Sequence, residues 1–241
     1  MKVTQMLFQG RQVQALLCAA CFALLLTSCK KNESEATAGT EITTDDAADM
    51  IQTAVNPETL GITAQMRTTT VYSNARNFQC SIESDTTATG QGTVGAATYS
   101  YYFNWARLYK CDLQTLVISY NGNTSYDVPL LLSGTDTSFA TFTVTGLKDT
   151  SYKMDATYER FGTHTSHLRN KNTFNGHTTI TAKALPVSKI TGEIESGTAA
   201  VTFTGAGTGG TKVNLTGTLT FTGNKKGVLV LGGNYTRNLS W

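Results

Sequence analysis

The sequence predicts an all-β domain, an antiparallel meander of about ten strands preceded by one short N-terminal helix. From about residue 66 onward, Thr, Val, Tyr and Phe alternate with polar residues at a period of two, and glycine-containing turns punctuate the pattern about every ten residues. No segment after residue 60 carries a helical pattern long enough for a crossover between parallel strands. The pattern fits a sandwich, an open barrel or a long curved sheet.

The first 28 residues have the layout of a secretory signal peptide. Lys2 and Arg11 supply its positive region, and an almost unbroken apolar run follows over residues 13–26. A membrane-spanning helix needs about 20 apolar residues, and this run has only about 14. The segment is therefore predicted to direct export and to be cleaved.

Residues 26–29 (LTSC) resemble the bacterial lipobox, in which a Leu and two small residues precede an essential Cys. The resemblance implies that a diacylglycerol is attached to the Cys29 sulfur, that the chain is cleaved before Cys29, and that the new amino group is acylated. Two or more acyl chains hold a protein stably on a membrane without help from its fold. An unlipidated secreted protein with a chance Cys is the alternative.

A tether and then the helix follow the acylated Cys. Residues 29–44 are small and polar, so they bury too little surface to offset the cost of ordering the chain. Residues 45–241 are predicted to form a single β-rich domain. Its leading helix starts at Asp45 or Asp46 as cap, has apolar residues at helical spacing, and stops at Val55 before Pro57.

The strands are assigned from alternation and from turn signals. Tyr99, Tyr101, Phe103 and Trp105 share one face of an extended segment, which predicts a core-facing stripe, although exposed aromatics could also stack on sugar rings. Asn-Gly pairs at residues 121–122 and 175–176, and Phe161-Gly162, are assigned to strand ends. Further strands are expected at residues 113–120, 140–144, 152–158, 178–185, 187–194, 199–204, 213–221 and 228–239.

Cysteine usage fits an oxidising compartment. Cys18 and Cys21 leave with the signal peptide, and Cys29 carries the lipid, so Cys80 and Cys111 remain. An even pair in an exported domain predicts a disulfide, which closes a loop of about 30 residues and stabilises the fold by about 3 to 4 kcal/mol in the chain-entropy model.

Charge argues against nucleic acid as a partner. Removal of the signal peptide leaves equal numbers of basic and acidic side chains, and the acidic ones are enriched in residues 30–50. Nucleic-acid binders usually carry a concentrated basic stripe. The expected partner is the membrane, reached through the lipid anchor, and the ligand or protein partner is open.

No catalytic, cofactor or metal residues are assigned. The three histidines, His164, His167 and His177, cluster in sequence near Arg169, but residues 164 and 167 of an extended strand point to opposite faces. Neither Gly-x-Ser-x-Gly nor His-Glu-x-x-His occurs, and the glycine run at residues 205–210 precedes a strand, unlike a phosphate-binding loop. The carboxylates of the domain are scattered: Asp112, Asp127, Asp136, Asp149, Asp155, Glu159, Glu193 and Glu195.

Together, the lipobox, the short acidic helix, the Cys80 and Cys111 pair and the Thr-Gly-rich strands resemble uncharacterised lipoproteins common in Bacteroidota. In that phylum an acidic stretch after the acylated Cys can direct export to the cell surface. Here Cys29 is followed by two lysines before Glu33, so the resemblance implies an outer-membrane lipoprotein and leaves the periplasmic or cell-surface side open.

Three functional hypotheses follow. The first is a non-catalytic envelope lipoprotein whose β-domain binds a ligand or supports envelope structure. The second is a periplasmic carrier that holds a lipid or other apolar ligand in a concave cavity. The third is a hydrolase of envelope or extracellular polymers, which requires carboxylates or the histidines to converge in a cleft.

Overall fold

Ten strands pair in chain order to form one open antiparallel sheet with two short helices before it. The structure is a computed structural model that describes residues 41–75 and 78–241. The predicted meander is confirmed, and a single open sheet is the arrangement that forms. Its strands are β1 Glu83–Val94, β2 Ala97–Lys110, β3 Thr115–Val128, β4 Leu132–Thr145, β5 Ser151–Ser166, β6 Thr173–Ser188, β7 Gly197–Gly207, β8 Lys212–Gly223, β9 Lys226–Leu231 and β10 Tyr235–Ser240.

Helix α1, Thr44–Val55, is the helix that the sequence predicts. Its cap differs from the expectation, because the side chain of Thr43 accepts the Asp46 amide and Asp46 in turn accepts the Thr43 amide. This reciprocal capping box satisfies two backbone donors that a helix start leaves unpaired. A 3-10 turn, Pro57–Thr59, follows α1.

A second helix, α2, spans Ile62–Asn74, where the sequence predicts no helix and places the beginning of the strand pattern. Four of its thirteen residues are threonines, which have modest helix propensity and favour strands. Packing decides the outcome. Ile62 and Met66 are fully buried against the sheet, and the hydroxyls of Thr70 and Ser73 donate to carbonyls one turn earlier.

The sheet curves around α1. A helix of 12 residues is only about 18 Å long, whereas β3 and β10 would lie about 34 Å apart in a flat sheet. Even so, Thr53 in the last turn of α1 contacts Tyr126 on β3, and Asp45 in its first turn pairs with Arg237 on β10. The concave side, called the inner face here, therefore holds the core and the helices, and the other side is the outer face.

The acidic start of α1 is anchored by two arginines. Asp46 accepts from the Nε of Arg169 at 3.1 Å, and Asp49 pairs with both Arg169 and Arg237. Arg169 lies between β5 and β6, and Arg237 lies on β10. These ion pairs join the helix to a loop and to the last strand.

Several glycines that were assigned to turns lie inside strands instead. Gly162, Gly176 and Gly205 are register neighbours on β5, β6 and β7 and face inward. A Cβ at Gly205 would lie 2.6 Å from Ile42, and one at Gly176 would collide with the sulfur of Met50. The prediction that these Asn-Gly and Phe-Gly pairs end strands was wrong. Gly176 and Gly205 allow close approach of α1 and its leading residues, and Gly162 allows close approach of Thr135 and Asp136 on β4.

Gly122 was misassigned for the same kind of reason. It lies in the middle of β3, and its missing Cβ leaves room for the ring of Phe103 on β2.

Two other strand boundaries differ from the prediction. Residues 189–196 form a loop with one isolated bridge at Ile194, and residues 228–239 are divided into β9 and β10 by a turn at Gly232 and Gly233.

The predicted disulfide joins Cys80 and Cys111, with their Cα atoms 5.4 Å apart. It connects the segment before β1 to the turn between β2 and β3. Because β1 is an edge strand paired only with β2, this covalent link holds the edge of the sheet to its neighbour.

Candidate functional site

A cluster of polar side chains is buried beneath the end of α1. We call Thr53, Tyr126, Asp136, Arg160 and His164 the buried polar cluster. The guanidinium of Arg160 pairs with Asp136, donates from one nitrogen to the carbonyls of Thr53 (2.9 Å) and Thr59 (3.1 Å), and lies over the ring of Tyr126. The cluster thus holds the last carbonyls of α1 and the 3-10 turn to β4 and β5.

His164 extends this cluster. Its Nε2 lies 3.1 Å from Asp136 Oδ1 and its Nδ1 lies 3.2 Å from the Tyr126 hydroxyl. Burial lowers the pKa of His164 to about 4, a change that the charge of Arg160 reinforces and that of Asp136 opposes. The imidazole is therefore neutral at pH 7, and its Nδ1 can accept from Tyr126.

Arg160 stays charged because it is paired with Asp136. Burial alone would lower the pKa of Arg160, but the carboxylate of Asp136 outweighs it and raises that pKa above its ordinary value. Burial likewise raises the pKa of the Tyr126 hydroxyl.

The carboxylate of Asp136, the imidazole of His164 and the hydroxyl of Tyr126 stand in a row, as in catalytic triads. Every one of these side chains is sealed from solvent. The arrangement is suited to fastening the helices.

The three histidines occupy three separate places. His164 faces inward, His167 pairs with Asp127 at 2.7 Å in the loop after β5, and His177 lies on the outer face with its Nε2 3.4 Å from Glu159. The structure therefore does not bring them into one cluster. Within residues 41–75 and 78–241, no three His, Cys, Asp or Glu side chains gather closely enough to hold a metal ion.

The core-facing aromatic stripe on β2 behaves largely as predicted. Phe103 and Trp105 are buried, and the Trp105 indole nitrogen lies 3.3 Å from Gln65 on α2. Tyr99 and Tyr101 are partly exposed, and their rings cover Gly92 and Gly90 of the edge strand β1. Their contribution is the packing of the sheet edge.

The outer face is polar and regular. Its side chains form rows across the sheet, because paired residues on neighbouring antiparallel strands point the same way. Two central rows contain mainly Thr and Asn. One is Thr89, Tyr102, Asn123, Thr137, Phe161, His177, Thr204 and Asn214, and the other is Thr87, Asn104, Asn121, Phe139, Glu159, Thr179, Thr202 and Thr216.

Three aromatic rings lie close together at the centre of this polar surface. Phe139 and Phe161 lie diagonally on β4 and β5 with ring centroids 6.0 Å apart, and His177 meets Phe161 edge-on at 5.7 Å. Phe139 is 46% exposed and Phe161 is 39% exposed. We call Phe139, Phe161 and His177 the outer aromatic cluster.

Shallow grooves adjoin the outer aromatic cluster. One of about 500 Å³ is lined by Phe161, His177 and Asn175, and another of about 280 Å³ by Phe139 and Glu159. A third of about 630 Å³ continues over the hydroxyl-rich neighbouring row toward β2. Two of the three grooves are thus lined by rings of the outer aromatic cluster.

The sequence interpretation missed this cluster. It used Ala140, Phe142 and Val144 to define the core side of β4, and it placed Phe161 at a strand end. The available signal was Phe139, because a large aromatic out of phase with its strand's apolar residues must lie on the solvent side. Phe161 is out of phase with Tyr158 and Tyr152 in the same way.

Comparisons with known proteins add no assignment: no family model, no curated protein and no solved structure matches this chain. The predicted signal peptide, the predicted acylation site Cys29 and most of the predicted tether lie outside the described residues. Neither helix in the described part of the chain has the length and hydropathy of a membrane span.

Proposed function

We propose that this protein is a non-catalytic lipoprotein of the cell envelope that binds a neutral polysaccharide on the outer face of its sheet. The observation that carries the proposal is the outer aromatic cluster, two exposed phenylalanines packed together in an otherwise polar surface. Cys29 would hold the domain at the outer membrane through its acyl chains. The polysaccharide would lie across the strands.

Exposure of the two rings is the first argument. A cross-strand pair of aromatic rings stabilises a solvated sheet face by only about 0.2 to 1 kcal/mol, and Thr suits strands equally and is hydrated at less cost. Phe139 and Phe161 instead form a contiguous apolar spot, and such spots with polar rims mark binding sites. A sugar ring has an apolar face of C–H groups that packs on aromatic rings, and hydroxyls around its edge.

The rim supplies matching hydrogen-bonding groups. Thr137 donates to the side-chain oxygen of Asn123 at 3.0 Å, and Thr163 donates to that of Asn175 at 2.7 Å. Each amide oxygen is thereby engaged and each NH₂ group is oriented, which leaves the NH₂ to donate to a ligand hydroxyl. Glu159 adds a half-exposed acceptor beside Phe139.

The small number of charged side chains on the outer face favours a neutral polymer over a charged one. In the two central rows, all of whose residues are described, the ionisable groups besides Tyr102 are Glu159 and His177, which face each other. A polyanion would need several cations, so nucleic acids and anionic glycans are poorly matched. Eight strands span roughly 34 Å at the usual interstrand spacing, which accommodates several sugar rings in a row.

The carrier and hydrolase hypotheses have weaker support. On the inner face, Met50, Ile51, Ile62 and Met66 from the two helices are fully buried, so the concave side is occupied by the chain's own side chains. A carrier would have to displace helices that the buried polar cluster fastens. A hydrolase would need an acid and a base that face one cleft. The Asp136-His164 pair is sealed, and the exposed His167-Asp127 and His177-Glu159 pairs lie in separate places.

The test is binding of the full-length mature protein to a panel of neutral and anionic polysaccharides, by affinity electrophoresis and calorimetry. Phe139→Ala and Phe161→Ala should each weaken binding about tenfold, if each ring contributes about 1.5 kcal/mol of stacking. Thr143→Ala, two outward positions from Phe139 on the same strand and outside the grooves, is the matched control and should bind normally. Failure to bind any neutral polysaccharide, or binding that survives both Phe substitutions, would overturn the proposal.

A further inference from the structure

We infer that the end of the sheet at which the chain enters the domain lies against a lipid surface and touches it through Leu130 and Leu168. This inference rests on the lipid anchor at Cys29 that is part of the proposed function. It adds a second contact surface of the domain and a defined orientation on the membrane.

The entry point of the chain is well defined. The carbonyl of Glu41 accepts from the side chain of Asn172, which directly precedes β6, at 2.6 Å. Ile42 is buried, and its tip lies against Gly205 near the end of β7. The chain thus enters beside the β5–β6 and β7–β8 turns, and the β3–β4 turn lies at the same end of the meander. We call this the entry end.

The length of the preceding chain keeps the entry end near its anchor. Twelve peptide units separate Cys29 from Glu41, so the two residues can be at most about 42 Å apart. With acyl chains on Cys29, this limit lets the entry end reach the bilayer, whereas the opposite end lies about one strand length further along the sheet.

Two leucines project from the entry end. Leu130 in the β3–β4 turn is 78% exposed, and Leu168 in the β5–β6 loop is 51% exposed. Their loops are joined, because the His167 amide donates to the Leu131 carbonyl at 3.1 Å. Leu130 also has φ of 62°, a conformation that favours Gly or Asn, so the turn itself does not call for leucine.

Cations accompany the leucines. Lys171 and Lys212 are exposed at the entry end together with Glu41, while Arg169 is engaged by Asp46 and Asp49 and Asp127 is engaged by His167. Exposed leucines flanked by lysines suit a surface where acyl chains meet phosphate headgroups.

Exposed apolar tips alone do not select this end, because Ile190 in the β6–β7 loop at the opposite end is 95% exposed. The position of the chain entry selects it, and Ile190 becomes the matched control. With the entry end on the membrane, the strands stand upright and the outer aromatic cluster faces sideways, where a polysaccharide can reach it.

The experiment uses the full-length protein after maturation, reconstituted in vesicles of phosphatidylethanolamine and phosphatidylglycerol. Leu130→Cys, Leu168→Cys and Ile190→Cys carry an environment-sensitive fluorophore, with Cys80 and Cys111 kept oxidised. We expect emission at positions 130 and 168 to rise at least about twofold on reconstitution and to be quenched by lipid-borne quenchers. Emission at position 190 should stay unchanged.

The outcomes separate the inference from the proposed function. Intact mass first establishes whether the mature protein carries acyl chains, and an unacylated protein overturns both the anchor and this inference. An acylated protein whose positions 130 and 168 respond no more than position 190 overturns this inference alone. Polysaccharide binding, measured on the same preparations with Phe139→Ala, tests the outer face independently.

Discussion

Replacement of Arg160 by methionine should lower the free energy of unfolding by about 3 to 5 kcal/mol, the usual cost of removing one partner from a buried ion pair. The structure supports the upper part of this range. The substitution leaves the carboxylate of Asp136 without its guanidinium partner in a sealed site, and it deprives the carbonyls of Thr53 and Thr59 of their donor. Methionine retains most of the volume, so the loss reports mainly on charge and hydrogen bonding.

The assay is urea unfolding, followed by the fluorescence of the buried Trp105 and checked by thermal scans. For a domain of this size, 1 kcal/mol corresponds to a shift of about 2 to 4 °C, so the melting temperature should fall by about 6 to 20 °C. The control is Lys183→Met, which breaks an exposed pair with Asp155 between β5 and β6 and should cost less than about 1 kcal/mol.

A double variant isolates the ion pair. Adding Asp136→Asn to Arg160→Met removes the orphaned charge, so the double variant should be more stable than Arg160→Met alone by about 1 kcal/mol or more. If Arg160→Met costs no more than Lys183→Met, or if Asp136→Asn gives no recovery, the cluster does not fasten the helices as argued.

Three further predictions concern stability. Because His164 binds its proton with a pKa of about 4 in the fold and about 6.5 when unfolded, the unfolded chain takes up the proton first, and stability should fall by up to about 3 kcal/mol as the pH drops from 6.5 to 4. Urea unfolding at several pH values measures this, and a His164→Asn variant that keeps the same slope would contradict it. Joint replacement of Cys80 and Cys111 by serine should cost about 3 to 4 kcal/mol, measured against the oxidised parent, and an unchanged midpoint would show that the edge of the sheet does not need the link. Gly134→Ala should destabilise the domain, because the added Cβ would lie 2.6 Å from the His164 ring and 2.9 Å from the Tyr126 hydroxyl; an unfolding midpoint equal to that of the parent would refute the close packing.

Local sequence patterns predicted the strands in which apolar and polar residues alternate. Strand β5 alternates Tyr152, Met154, Ala156 and Tyr158 inward, and each of these side chains is buried. Successive side chains of a strand always point to opposite faces, so this alternation in the sequence does not depend on what the strand packs against. Helix α1 was predictable for a similar local reason, since its apolar spacing and its capping residues lie within one short segment.

Residues whose role depends on distant parts of the chain were not predictable in this way. Gly176 follows Asn175, as in a hairpin turn, and only the arrival of Met50 from α1 explains why a glycine stands inside β6. Helix α2 is helical because its buried face fits the inner face of the sheet, which overrides the strand preference of its threonines.

The same contrast between local pattern and distant contacts applies to the candidate sites. The sequence by itself determined the meander, the first helix and the cysteine pair, because each is encoded by residues close together or by a count. Tertiary structure alone decided that Asp136, Arg160 and His164 meet in a sealed cluster and that Phe139 and Phe161 meet on the outer face. These residues become neighbours only through strand register, and register depends on the packing of the whole inner face against the helices.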